Sequence, residues 1–156
     1  NLTSNIAFLP PEYKSKLVDA HDGQYKLHRL IAHPDLLDMG FVGFNSSFAS
    51  VLCADLAAES LVRYADGQLA KQPSSVEMQQ SIDSMLTFKR KERPAAAVYG
   101  GLCVAPFHFK YFDELMDDIG CKLRQHSNPM VEYLTPPDAD AYGEYLASAP
   151  QYVARD

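Results

Sequence analysis

Met39-Gly40-Phe41-Val42-Gly43-Phe44, followed by Asn45-Ser46-Ser47-Phe48-Ala49-Ser50, is the stretch on which the fold of this chain turns. The first six residues are almost continuously apolar, the pattern of a strand covered on both faces, as in a parallel sheet. The next six supply turn-forming and helix-capping side chains. Val51, Ala54, Ala58, Leu61 and Ala65 then recur at helical spacing up to Gly67, which predicts a helix with a glycine stop. Strand, polar turn and helix come one after another within one supersecondary unit, and the expected class is α/β.

Upstream, Asn5 to Pro11 is a short apolar stretch stopped by two prolines, and with the polar segment that follows it through His21-Asp22-Gly23 it reads as an incoming loop, Asp22-Gly23 being a turn signal. Tyr25 to Ile31 alternates enough to predict a strand that ends before His33-Pro34. Downstream, Ser74-Ser75-Val76-Glu77 fits a capping box. It opens a helix with Met78, Ile82, Met85 and Lys89 on one stripe, which Arg93-Pro94 must stop. Ala95 to Ala105 is a small-residue connector. Phe112, Leu115, Met116 and Ile119 mark a third helical face capped by Gly120, and the proline-rich remainder leaves room for a short helix near Ala139 to Ala147.

Apolar residues make up 47% of the 156 and charged residues 22%, the balance of a globular chain that buries a core. A net charge of −6 with no basic stripe argues against nucleic acid as a partner. Lys89-Arg90-Lys91-Glu92-Arg93 is the basic run, and at the end of a helix it complements the dipole. No apolar run reaches the roughly 20 residues of a membrane span, and the first residues lack a signal-peptide pattern, so the expected location is the cytoplasm. Cys53, Cys103 and Cys121 are odd in number and widely spaced, which suggests buried thiols rather than disulfides or zinc. Asn45-Ser46-Ser47 also matches a glycosylation sequon, which matters only in a secreted protein.

A helix start beyond the carboxyl end of a buried strand is the usual ligand position in open α/β sheets, and its free amides favour anionic or electron-rich groups. Asn45, Ser46 and Ser47 add side-chain donors, while Ala49, Ala54, Ala57 and Ala58 permit close approach by a flat ligand or by another helix. A capped helix with a small-residue packing face explains the same residues. Gly43-Phe44-Asn45-Ser46-Ser47 lacks the second glycine of a nucleophile elbow. His21, His28, His33, His108 and His126 show no zinc spacing, and His28 and His108 read as structural. Asp113, Glu114, Asp117 and Asp118 read as a solvated acidic edge, and Tyr99, Phe107, Phe109, Tyr111 and Phe112 as core.

Several segments, taken in order, resemble one family. Asn5 to Pro10 is similar to the stretch after the Ala-Thr-Gly-Tyr sequence of flavin-containing monooxygenases and their bacterial relatives. Leu27-His28-Arg29-Leu30-Ile31-Ala32-His33-Pro34, then Leu36 to Phe44, resembles the family's run of Leu-Tyr-Arg, His-Pro and Leu-x-Phe-Ile-Gly. Ala54 to Arg63, Gly67 and Pro73 to Met78 resemble the next helix, its glycine stop and the Pro-Ser start beyond it. Phe107 to Gly120 and Asn128 to Tyr133 resemble the tail of bacterial members. The likeness covers nearly the whole chain and rests on order and spacing.

The resemblance implies the end of a Rossmann-like FAD-binding domain in residues 1–70, followed by a mainly helical, loop-rich extension in 71–156. It implies oxidation with FAD, NADPH and O2 of a nitrogen, sulfur or carbonyl carbon of a small molecule, and makes Asn45, Ser46, Ser47, Phe48, Ala49 and Ser50 the expected cofactor contacts. On the helix, Asp55-Leu56-Ala57-Ala58-Glu59-Ser60 departs from the Glu-Leu-Gln-Ala-Arg-Trp of mammalian-type members, so substrate-side detail does not carry over. Both Gly-x-Gly-x-x-Gly elements are absent from the chain. The cofactors would then be held mainly by an N-terminal part of a longer enzyme, and the chain alone should expose an apolar patch. Self-association is a further expectation. The competing readings are a free-standing helical interaction module without catalytic activity and a small NAD-binding protein, the latter without a glycine fingerprint.

Overall fold

The computed structural model describes residues 6–44, 50–95, 108–121, 127–128, 130–131, 135 and 139–148. The segment expected as an incoming loop instead contains helix α1 (Pro11–Leu17), which starts on a proline preorganised for a first helical turn. A turn through Asp22 and Gly23, with Gly23 at φ 72°, sends the chain back so that Val18 bridges Tyr25. Ile6, Leu17, Tyr25, Leu27, Leu30 and Leu36 form one buried cluster.

Tyr25 to Ile31 is not a strand. Tyr25 and His28 each make a single bridge, and Arg29 and Leu30 take left-handed φ of 53° and 56°. The Ile31 and Ala32 amides both donate to the His28 carbonyl, closing a tight turn. Strands β1 (Ala32–His33) and β2 (Leu36–Gly40) come next as an antiparallel hairpin around Pro34-Asp35. The expected parallel strand at 39–44 is therefore corrected in position and in sense. β2 begins earlier because Leu36 to Gly40 folds back on its own upstream neighbour. Past Gly40 only the Phe41 amide, bonded to the Ile31 carbonyl at 2.8 Å, prolongs the contact. Phe41 and Phe44 are half-buried, their rings tilted against each other with centroids 4.9 Å apart and Phe44 edge-on to Tyr25, while Val42 and Gly43 face outward. Continuous apolarity here reflects an aromatic anchor rather than a two-sided strand.

The helical expectations fared better. α2 (Ser50–Ala65) ends at Gly67, where the Gln68 amide bonds the Arg63 carbonyl and the Gly67 amide bonds that of Tyr64, a Schellman motif. Its deepest face is Cys53, Leu56, Ala57 and Ser60 rather than the 51/54/58/61/65 stripe. Val51 is 86% exposed, and Ala54 and Leu61 instead lie against Gly43 and Gly40. α3 (Ser75–Glu92) carries the capping box in full, Ser74 and Glu77 bonding reciprocally. Met78, Ile82, Leu86 and Lys89 are its buried stripe, with Met85 turned toward the first cluster. α4 (His108–Asp118) buries Phe112, Leu115 and Met116, with Ile119 just beyond, and closes in a second Schellman motif at Gly120, φ 78°. α5 (Ala139–Ser148) covers the far side, Tyr142 being buried and its hydroxyl donating to Asp55 at 2.9 Å.

The second core cluster joins Ile31, Ala32, Cys53, Leu56 and Ala57 to Met78, α4 and Tyr142, so residues on both sides of position 70 share one interior. The fold is thus α/β and mostly helical, with a two-stranded antiparallel sheet among the described residues. Gly40 is the point of closest approach between sheet and helix, since a Cβ there would run into the Leu61 methyls. Gly40→Ala is expected to cost about 1–3 kcal/mol in urea denaturation. In a Leu61→Ala background the same change should cost markedly less, because the obstructing methyls are gone.

Candidate functional site

Asn45, Ser46, Ser47, Phe48 and Ala49 lie outside the described residues, and of Ser50 the backbone is described, as the first residue of α2. Their flanks are defined on both sides. Gly43 turns the chain at φ 69°, and a Cβ there would meet Ala54 at 3.8 Å, so Gly43 itself lies beside the first turns of α2. Val42 and Val51 are exposed.

A second locus was not anticipated. A crevice is lined by His28 and Arg29 of the turn, Ile31 and Ala32, Ser60 and Tyr64 of α2, Leu69, and Asp118 at the end of α4. It has room for about one water molecule. From Ser50 to Ser60 is ten helical residues, roughly 15 Å at 1.5 Å per residue, so it is well separated from the α2 opening. It is far too small for an isoalloxazine ring.

Arg29 organises the crevice. Its guanidinium lies 3.0 Å from Asp118 and 2.6 Å from Glu114, while its carbonyl accepts the Tyr111 hydroxyl at 2.8 Å. Burial opposes the Arg29 charge, but the two carboxylates outweigh it and hold the guanidinium more firmly protonated than usual. At Asp118 the balance reverses. Burial raises its pKa despite the attraction of Arg29. The acidic edge read as solvated is therefore split: Asp118 and Glu114 are tertiary partners of a residue 89 and 85 positions upstream, a distance at which no sequence periodicity speaks. Tyr111 and Phe112 are core, as expected.

His28 is structural in position yet incompletely satisfied. Its Nδ1 is buried without a hydrogen-bond partner, and burial together with the neighbouring Arg29 charge pushes its pKa down to about 4. The Lys89 to Arg93 run also does more than complement a dipole. Arg90 clamps Asp19 at 3.0 Å and Asp22 at 2.7 Å, and its hydrogen bond helps lower the Asp22 carboxyl to about 2. Among the described residues no group of three His, Cys, Asp or Glu side chains is placed to hold a metal ion, and no helix is long and apolar enough to cross a membrane.

Comparison with known proteins gives a partial likeness. Over 136 residues, 87% of the chain, the sequence is 26% identical to the probable flavin-containing monooxygenase 1 of Arabidopsis thaliana. The aligned part is 25% of that protein, so the chain spans about a quarter of the length of the curated relative it matches. No family model matches, and no solved structure does. The chain is thus related, at this distance, to part of a flavin monooxygenase.

His28 makes acid stability testable. The unfolded imidazole takes up a proton near 6.5 and the folded one only near 4, so folding favours the neutral ring. Its contribution is complete above pH 6.5 and is lost as pH falls toward 4, by at most about 3 kcal/mol. His33 is shifted in the same direction and Asp118 oppositely, so the informative quantity is a difference. His28→Asn, which does not titrate, should flatten the acid limb of urea-derived stability over that window relative to the unmodified chain.

Proposed function

We propose that this chain is the C-terminal part of a flavin-dependent monooxygenase, with the opening of α2 facing the flavin. The observation that carries the reading is the alignment of 87% of the chain with a probable flavin-containing monooxygenase, in agreement with the ordered motifs in the sequence. The chemistry that the cofactors would supply when bound is reduction of FAD by NADPH and transfer of one oxygen from O2 to a nitrogen, sulfur or carbonyl carbon of a small molecule. Residues 1–70 would complete the FAD-binding domain and 71–156 extend it.

The chain's own contribution is positional. Asn45, Ser46, Ser47, Phe48, Ala49 and Ser50 precede or open a helix of 16 residues whose free amides favour negative charge. Reduction places such charge on the flavin ring, and fixed donors aimed at it stabilise it without reorganisation. Gly43 and Ala54, which face each other, are both small. The dinucleotide phosphates of FAD and NADPH need glycine-rich turns that this sequence lacks, so they would be held by the preceding part of the same enzyme. A cytoplasmic location and self-association belong to the same proposal. The second reading, a helical interaction module without catalysis, draws on Leu37 and Val51, which are 69% and 86% exposed beside a core the chain builds for itself.

Purification of the longer polypeptide separates them. The flavin reading expects a yellow protein bleached by NADPH, while the isolated 156 residues bind FAD weakly. Asn45→Leu in the longer protein should retain FAD but slow flavin reduction, followed by stopped-flow absorbance, by on the order of 100-fold if the donor is fully engaged. A colourless longer polypeptide that does not consume NADPH would favour the interaction module. Unchanged kinetics with FAD bound would reduce Asn45 to a helix cap.

A further inference from the structure

The crevice under the 28–31 turn lies apart from the proposed flavin-facing end, and it has chemistry of its own. Its rim brings together a guanidinium, a carboxylate, an imidazole and a hydroxyl, from Arg29, Asp118, His28 and Ser60, above apolar walls from Ile31, Ala32 and Leu69. Ser60 is 5% exposed and sits mid-helix in α2. The Nδ1 of His28 is buried and has no protein partner. Leaving such an acceptor unpaired is costly, whereas a bridging water is nearly as favourable as a direct hydrogen bond.

The lining also restricts what can enter. An anion would face Asp118, and a cation would face Arg29. An apolar atom would leave Nδ1 unpaired. The species that fits is neutral, both donates and accepts, and fills a space of about one water. We infer that the crevice is a buried hydration site, in which a single water donates to His28 Nδ1 and to the Asp118 carboxylate and accepts from the Ser60 hydroxyl. This assigns His28 the tautomer with its proton on Nε2. It also adds a polar link to the apolar contacts of the turn with α2: Arg29 ties the turn to α4, and the water ties the same turn to α2.

The test uses the 156-residue chain at neutral pH. Long-range proton–nitrogen correlation spectra should show His28 neutral with the proton on Nε2, and a near-atomic-resolution crystal structure should show a water within hydrogen-bonding reach of His28 Nδ1 and Ser60 Oγ. Oxygen-17 relaxation dispersion should register a long-lived water that disappears in Ser60→Val. Should that variant fail to fold, the tautomer and the crystal density of the unmodified chain decide alone. A proton on Nδ1, an empty crevice that accepts xenon, or an ion that survives dialysis would each overturn the assignment.

Discussion

The contact on which the rest of the molecule depends is the grip of α4 on Arg29. Two consecutive non-glycine residues in the left-handed region, Arg29 and Leu30, are unfavourable on their own. They persist because the turn is fixed from both sides. Glu114 and Asp118 hold the guanidinium, Tyr111 holds the carbonyl, and Leu30 is buried in the neighbouring cluster. The turn in its place directs the chain downstream. It aims Ile31 and Ala32 into the second cluster and starts β1, so the hairpin, the Phe41–Phe44 anchor and the contact of Gly40 with α2 all inherit its geometry. A partly buried ion pair is modest as a source of stability, since desolvation consumes much of the attraction. Its value here lies in selecting one arrangement, and the raised pKa of Asp118 beside a strengthened Arg29 is the signature of that near-balance.

Helices were legible because the signals that make them are local. The Ser74/Glu77 box, the glycine stops at 67 and 120, and the 112/115/116/119 face each depend on residues a few positions apart. The two strand readings failed for the opposite reason. In Tyr25 to Ile31 the alternation is real as far as Leu27, after which a side chain from far along the chain captures Arg29 and the backbone turns. In Met39 to Phe44 an apolar run was compatible with a two-sided strand or with an aromatic cluster, and only the position of Tyr25 distinguishes them. Pro34-Asp35, flanked by apolar residues, was the overlooked turn signal from which an antiparallel hairpin could have been inferred.

The helix α2 shows how a correct element can carry a mistaken face. Alanines at 54 and 58 suggested the buried stripe, yet the deepest positions are Cys53, Leu56, Ala57 and Ser60, turned toward the rest of the second cluster. Both faces are in use. The alanine side meets the hairpin, where glycines 40 and 43 let backbone come close, and the other side meets α4 and α5. Small residues here report close packing at least as much as ligand access, and the sequence alone is compatible with both. Of the candidate site, the helix that opens at Ser50 was legible, whereas the crevice ten residues further on was not, because it is assembled from four separate parts of the chain.

The crevice at Ser60 and the opening at Ser50 lie on one helix. The Ser60 end borders a crevice of mixed polar and apolar lining that admits little more than a water. Near the Ser50 end, Val51 is exposed and Ala54 lies opposite Gly43. A planar ligand needs an apolar face for its rings and donors at its edge, a combination that binding sites commonly offer. In the proposed flavin-facing arrangement, the exposed Val42 and Val51 would supply the first, and the amides that open α2, with Asn45 to Ser50, the second. The Ser60 end of α2 thus borders the turn that Arg29 and its partners on α4 hold in place, and the flavin-facing role proposed for the other end of the helix is independent of that lock.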